Sequence, residues 1–267
     1  MTPLPPYRST QHLDRLYIGR EVRYFDSLAS TNDTAASLAT EPALAGTVVV
    51  ADHQTSGRGQ HGRIWQSRAG ASLLMSVVLH PTPDIRRPVI LTAWAAVAVA
   101  EAVRTITGVQ AKIKWPNDLL IRGKKVCGIL IEQRVGTVVG IGLNLNQTLA
   151  EFAEAELPHA TSLAVVSGTP VERNAVLQTV LRHLDEEYDR LVGGELIPLE
   201  SDWKWRVGLL GRDVVADLAD GSRVCGRLHE MAFDGVVIEA TDGIRVIPPE
   251  RVRHISDSSR VAPDSAG

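Results

Sequence analysis

Apolar and polar positions change rhythm several times along the chain, and each rhythm predicts an element. Val22, Tyr24 and Leu28 predict a first strand and its exit, and Ser30-Thr31-Asn32-Asp33 is a helix start before Ala35–Leu38. The β-branched run Thr47–Ala51 predicts a strand, Asp52–Gly70 a polar Gly/Arg-rich loop, and Ser72–Leu79 a second strand. Pro88 opens an Ala/Val-rich helix that reaches about Thr107. Lys112–Trp115 is a short strand halted by Pro116. Leu119–Ile121 and Val126–Gln133 flank the turn Arg122-Gly123-Lys124 as a hairpin, and Thr137–Leu143 is another strand. Val176, Val180, Leu184, Tyr188 and Leu191 place one apolar face on a helix over Val171–Val192.

After Arg206 the texture changes. Short strands at Val214–Leu218, Arg223–His229, Val236–Glu239 and Ile244–Ile247 alternate with Asp-Gly turns, the pattern of a small all-β barrel. Strands and helices before it mix without regular βαβ alternation, so the fold class is α+β: a mixed sheet flanked by helices, then the small barrel. The expected organisation is an N-terminal arm at 1–20, a main domain at 21–205, the barrel at 206–256 and a polar tail at 257–267.

Composition narrows the function classes. The chain has 267 residues, 44% hydrophobic and 22% charged, which excludes wholesale disorder. Lys+Arg 28 against Asp+Glu 31 gives a net charge of -3, where a protein gripping nucleic-acid phosphates usually shows a basic excess. Cys127 and Cys225 form no C-x-x-C, so neither a zinc site nor a disulfide framework is expected, and no metal ligands are assigned. The N-terminus lacks a signal-peptide core, and the apolar stretch Val89–Val103 carries Thr92 and Glu101 and is too short to span a bilayer. A cytoplasmic protein with no membrane partner is expected.

Candidate chemistry concentrates in four segments. In Gly57-Arg58-Gly59-Gln60-His61-Gly62-Arg63-Ile64-Trp65, glycines let backbone approach a ligand and make an anion nest. Arg58 and Arg63 can fork onto carboxylate or phosphate, and Trp65 can wall off an apolar group. The same glycines satisfy G-x-G-x-x-G, but no crossover helix fits between Gly62 and Ser72, so a dinucleotide fingerprint is rejected. Lys114 ends a strand before the turn Pro116-Asn117-Asp118, placed either to neutralise charge in a transfer reaction or to sit solvated on an edge. Gly128, followed by Leu130, sits inside a strand and signals close approach. Gly140-Ile141-Gly142-Leu143-Asn144 suits a ribose or purine edge, or a bulge and turn. Cys127 reads as a small buried hydrophobe.

Together these segments resemble the biotin–protein ligases. That family carries Ser-Thr-Asn at the first helix, a Gly-Arg-Gly-Arg-x-Gly-Arg-x-Trp loop, Lys-Trp-Pro-Asn-Asp, Lys-x-x-Gly-Ile-Leu-x-Glu and Gly-x-Gly-x-Asn. Ser30-Thr31-Asn32, Gly57–Trp65, Lys114–Asp118, Lys125–Glu132 and Gly140–Asn144 follow that order. The resemblance implies a catalytic domain like that of class II aminoacyl-tRNA synthetases and biotin synthetases, with an SH3-like C-terminal domain. It implies an ATP-dependent enzyme: biotin and ATP, with Mg²⁺, give biotinyl-5′-AMP and pyrophosphate, and a lysine of a biotin carboxyl carrier protein, as in acetyl-CoA carboxylase, then attacks the anhydride. By resemblance, Ser30, Thr31, Asn32 and Gln54 take the ureido end with Gly128 and Leu130 lining the pocket. Gly57, Arg58, Gly59, Gln60, His61, Gly62 and Arg63 hold the adenylate and Trp65 packs near it. Gly142 and Asn144 lie on the nucleotide side. Lys114, between carboxylate and α-phosphate, and Arg58 are the catalytic candidates.

The alternatives are a lipoate or octanoyl ligase of the same fold and a non-enzymatic regulator that holds a small acid. Family members that act as repressors carry an N-terminal DNA-binding domain. Ser30 begins the first motif here, so no DNA partner is expected. A monomer and a homodimer are both compatible with the sequence. The family's second loop arginine is Gln60 here, which removes a fixed cation. A charge-assisted hydrogen bond is worth roughly 1.5–3 kcal/mol. Gln60→Arg is therefore expected to slow release of biotinyl-adenylate by about tenfold, at 1.4 kcal/mol per decade. Stopped-flow dissociation of the intermediate checks this, and equal rates in the two proteins refute it.

Overall fold

Period-two alternation in the first half of the chain builds one sheet, and the turn-rich C-terminal stretch builds a second. The computed structural model describes residues 6–260. Along them run β1 (Ser9–His12), β2 (Glu21–Leu28), α1 (Thr31–Leu38), β3 (Val48–Gln54), β4 (Ser72–Leu79) and α2 (Pro88–Thr107). Next come β5 (Lys112–Lys114), β6 (Asp118–Ile121), β7 (Lys124–Gln133) and β8 (Thr137–Asn144). Four helices follow: α3 (Leu149–Glu154), α4 (Leu163–Ser167), α5 (Arg173–Val192) and α6 (Leu196–Val207). The chain then enters β9 (Asp213–Leu218), β10 (Arg223–Met231), β11 (Val236–Ala240), β12 (Gly243–Ile247) and β13 (Val252–Asp257).

The first sheet has eight strands in the order β1-β2-β3-β4-β8-β7-β6-β5. Its one parallel pair is β2 with β3, joined over α1, and the other neighbours are antiparallel. Alternation sorts side chains between its faces. Val48 and Val50 of β3, Leu73, Met75 and Val77 of β4, Ile129 of β7 and Val139, Ile141 and Leu143 of β8 enter the main core with α2 and α5. Val49 and Ala51 join α1's Ala35 and Leu38 in a smaller cluster on the opposite face. That second face also carries Gly128, Leu130 and Glu132 of β7, Gly140, Gly142 and Asn144 of β8, and Ser72 and Ser76 of β4 by the same alternation. It is the face left open for a site.

α2 is long and apolar enough to cross a membrane, but Ile90–Ala100 are all buried inside the protein. Trp94 packs its ring on Tyr188 of α5 (centroids 5.2 Å apart) and donates Nε1–H to Leu184 O at 3.1 Å. The second sheet has five antiparallel strands, ordered β12-β11-β10-β9-β13. It is tied to the first through α6: Trp203 lies between Trp115 and Phe233, with centroids 5.6 and 5.3 Å away. Trp115 also donates its indole N–H to Val252 O at 2.8 Å.

Several expectations need correction. Within the expected arm at 1–20, Ser9–His12 pairs with β2 as an edge strand. The backbone N–H groups of Leu16, Tyr17 and Ile18 all donate to the Asp185 carboxylate (3.0, 2.7 and 2.8 Å), which fastens the arm to α5. Residues 1–5 of the arm and 261–267 of the expected tail lie outside the described residues. The change of texture expected at 205/206 falls in the last turn of α6, which ends at Gly208 in a left-handed conformation. β13 was not expected, because a bulge between Val252 and His254 breaks its alternation and sets the buried Val252 and Ile255 three residues apart.

Arg206, 3% exposed, ion-pairs with Glu101 of α2 and donates to Gln110. Burial pushes the Glu101 carboxyl up, but its hydrogen bond to Arg104 and the charges of Arg206 and Arg104 outweigh this and hold it below the usual range. A lowered folded pKa means the contribution is present above the ordinary carboxylate value of about 4 and fades as pH falls through the folded one. Arg206→Ala, which leaves Glu101 short of its buried partner, is expected to lower stability by about 3 kcal/mol. Urea denaturation at neutral pH checks it, with a smaller loss expected when the comparison is repeated in acid.

Candidate active site

A cavity of about 1160 Å³ opens on the second face of the eight-stranded sheet, between the glycine loop, β5–β8 and the edge of the second sheet. Its floor exists because β7 and β8 put their smallest residues opposite each other. Gly128 pairs with Gly142, and Leu130 with Gly140. A Cβ on Gly142 would lie 2.6 Å from the Trp65 ring, and one on Gly140 would lie 2.2 Å from Asn32 Oδ1. Any side chain at either position would collide with what now covers the floor, which is the close approach the mid-strand Gly128 predicts.

The loop above the floor is internally bonded. Arg58 and Ile64 bridge, Gly59 N–H donates to Arg63 O (2.7 Å), and Trp65 N–H donates to Gly57 O (3.0 Å). His61 and Gly62 turn the tip in left-handed conformations, with φ of 56° and 74°. The segment holds one short 3₁₀ turn, Gln60–Gly62, with no crossover helix behind it, as the rejected dinucleotide reading requires. Trp65 lies across Gly128 and Gly142 with its buried Nε1 unpartnered, a donor aimed at nothing in the protein.

Of the sequence-predicted residues, Ser30, Thr31, Asn32, Gln54, Arg58, Gly59, Gln60, His61, Arg63, Trp65, Lys114, Gly128, Leu130, Gly142 and Asn144 line the cavity, and Gly57 and Gly62 do not. Gly57 instead serves the loop's own folding, since a Cβ there would sit 2.4 Å from Trp65 O. Arg58 lines the wall but is spoken for: it binds both Asp33 oxygens at 2.7 Å and reaches Glu132 at 2.9 Å. Its charge is matched by two carboxylates, so it ties the loop to α1 and β7. Asn144 is also engaged, donating to Thr161 O (3.0 Å) and accepting from Gln147 (3.1 Å). Cys127 is fully buried and burial pushes its thiol far up, which fits a core residue.

One end of the cavity is neutral and polar. Thr31 brings its backbone N–H and its hydroxyl to Gln54 Oε1 (2.7 and 2.9 Å), and Asn32 Nδ2 donates to Glu132 at 2.6 Å. The other end is cationic. Lys125 pairs with Asp118 at 2.7 Å, stands 5.5 Å from the Trp65 ring centroid, and lies against the Gly128 floor. Lys114 and Arg63 also line the wall, and among the described residues neither forms an ion pair. Asp217, Arg253 and His254 reach the same cavity from β9 and β13. The sequence reading missed Lys125 as a site residue, although it stands in the quoted motif three residues before Gly128. It missed the β9 and β13 residues because nothing in a short bulged strand announces what it faces. Among the described residues no group of three or more acidic, histidine or cysteine side chains gathers to hold a metal.

The sequence profile of the Biotin/lipoate A/B protein ligase family matches residues 24–146. The biotin--[acetyl-CoA-carboxylase] ligase of Mycobacterium tuberculosis (strain ATCC 25618 / H37Rv) is 33% identical over 244 residues, 86% of this chain and 89% of that protein. The bifunctional ligase/repressor BirA of Bacillus subtilis (strain 168) is 35% identical over 237 residues, 86% of this chain and 73% of that one. Among solved structures, a biotin protein ligase from Aquifex aeolicus in complex with biotin and ATP superposes with a TM-score of 0.76 at 29% identity, covering 89% of this chain and 99% of that one.

His254 is half-buried, and burial lowers its imidazole pKa, with the Lys114 and Arg63 charges adding to the effect against the opposing pull of the Trp115 backbone and Asp217. It is therefore neutral at pH 7. With the folded value below the unfolded one, its contribution to stability is intact above about 6.5 and is lost as pH falls through the folded pKa. The His254 ring resonances are expected to titrate below 6.5 by NMR, and Lys114→Met is expected to move the midpoint up. An unshifted midpoint in both proteins refutes the arrangement.

Proposed function

The chain belongs to the biotin/lipoate protein ligase family, and we infer that its cavity activates biotin with ATP and passes the biotinyl group to a lysine of a carboxylase's biotin carrier. The observation that carries this reading is the division of one cavity into a neutral hydrogen-bonding end and a cationic end, with a glycine floor between. A ligand with a uncharged amide-like head and a carboxylate tail fits that division. Thr31, Gln54 and Asn32 meet the ureido head, and the bicycle and its chain run beside Trp65, which the glycine floor at Gly128 and Gly142 lets sit close to backbone. Trp65 walls that side and offers Nε1–H.

The carboxylate then lies toward Lys125. Two anions, the carboxylate and the α-phosphate, must approach for an oxygen to bond to phosphorus while pyrophosphate leaves. A fixed ammonium between them offsets their repulsion and stabilises charge developing in flight. Lys125 is held for this by Asp118, and its position against the floor supports giving it the role the sequence reading gave Lys114. Lys114 and Arg63 suit the departing pyrophosphate. Magnesium enters with the ATP triphosphate, bound through phosphate and water oxygens. In the second step the carrier lysine's amine bonds to the acyl carbon, the acyl–phosphate bond breaks, AMP leaves and the amine sheds a proton. Among the described groups Arg58 is a loop tie, so the loop's remaining backbone N–H groups are assigned to the adenylate.

Mass spectrometry of a biotin carrier domain after incubation with the protein, biotin and MgATP tests the reading. A biotin adduct on one lysine supports it, and an adduct from lipoate or octanoate alone overturns it in favour of the sister activity. Removing one preorganised charge costs about 10²–10³ in rate. Lys125→Ala is expected to slow adenylate formation by that factor and to weaken biotin binding through the lost partner of its carboxylate. Lys114→Ala is expected chiefly to raise the KM for ATP.

A further inference from the structure

Behind the polar end of the cavity lies a hydroxyl that does not touch the cavity. Ser76 of β4 is fully buried, yet it sits on the open face of the sheet beneath α1. Its Oγ lies 2.6 Å from Asn32 Oδ1 and 2.7 Å from Thr31 Oγ1, and Thr31 Oγ1 lies 2.9 Å from Gln54 Oε1. Four oxygens therefore stand in a row, from Asn32 through Ser76 and Thr31 to Gln54.

Both ends of the row are fixed as acceptors. Asn32 turns its Nδ2 to the Glu132 carboxylate, which also receives Arg58, so its Oδ1 must face Ser76. Gln54 Oε1 receives the Thr31 backbone N–H at 2.7 Å, so that atom is the oxygen of the amide. Between two acceptors stand two hydroxyls, each owning one proton. Three oxygen–oxygen contacts share two protons, and one contact is always without. A buried or half-buried polar contact lacking its proton is unfavourable, and a donor from outside relieves it. Of the row, Thr31, Asn32 and Gln54 line the cavity, so the missing proton must arrive there.

We propose that Ser76 is a specificity-determining positioning residue: by leaving the Asn32–Ser76–Thr31–Gln54 row one proton short, it makes the polar end of the cavity demand an N–H donor from the ligand. This rests on the reading of the cavity as a biotin site, and it deepens that reading. The ureido group of biotin carries N–H donors, and the dithiolane of lipoate and the alkyl chain of octanoate carry none. A pocket built only from Thr31 and Gln54 has one contact and one proton and makes no such demand. The serine creates the deficit from behind without contacting substrate.

Ser76→Ala deletes one proton and two contacts, so the remaining Thr31–Gln54 contact is satisfied within the protein and only Asn32 Oδ1 is left without a donor. The test is calorimetric titration of the full chain and of Ser76→Ala with biotin and with biotins methylated at one or the other ureido nitrogen. In the unaltered protein one methylation is expected to weaken binding by about tenfold or more. In Ser76→Ala the same methylation is expected to cost less than about threefold, at the same thermal midpoint to within a few degrees. Ser76→Cys, whose thiol keeps one proton in the row, is expected to retain the methylation penalty, and its loss there overturns the proposal even if the alanine protein is unstable. Equal methylation penalties with and without the serine hydroxyl overturn the proposal while leaving the ligase reading intact. Absence of biotin binding in the unaltered protein overturns both.

Discussion

Everything about the site depends on one steric constraint: two adjacent strands of the central sheet must face each other across residues with no side chain. Gly128 opposite Gly142 opens the floor, and the two strands still bury Ile129, Ile141 and Leu143 on their other face. The strands thus do two jobs by period two alone. The buried face supplies cohesion, and the open face supplies a surface close enough to backbone for Trp65 to lie flat on it. A catalytic cleft on a less rigid support would place its polar groups less well, because a cleft holds them only as firmly as the layer beneath packs.

Polar groups around that floor are arranged by reciprocity. Glu132 is shared by Asn32 and Arg58, so one carboxylate orients a pocket residue and anchors the loop above it. Lys125 takes its place from Asp118, and the cis Trp115–Pro116 turn beside it is docked on β13 through the Trp115 indole. The second sheet is therefore part of the cavity wall, with His254 close enough to the loop's Arg63 to feel its charge.

Much of this was legible in the sequence because it was written in local rhythm. The strand Ser72–Leu79 and the helix Pro88–Thr107 match their expected bounds, since one is a continuous run buried on both faces and the other opens at proline and closes at Gly108. The four site segments were found because glycines and charges stand where strands should not hold them. What was not legible depends on distant partners. β1 is defined by pairing with β2, and the segment after it by Asp185, far along the chain. The neutralisation of Arg58 by Asp33 and Glu132, and the role of Ser76, arise from residues that meet only when strands pair, and a lone serine inside a Val/Leu-rich strand looks like an ordinary core position.

The stretch Ile90–Ala100 of α2 is buried on every side because α5, α6 and the sheet enclose it. On the ribosome it meets these neighbours in sequence order. β5–β8 follow it directly, but α5 ends only at Val192, after a further third of the chain has been made. At bacterial or eukaryotic elongation rates of about 5–20 residues per second, the helix waits several seconds half-covered. During that interval its apolar surface is open to chaperones, to neighbouring chains on the same message and to any lipid nearby. The order in which the protein is made thus sets its most vulnerable moment, and synthesis speed between Thr107 and Val192 governs how long that moment lasts.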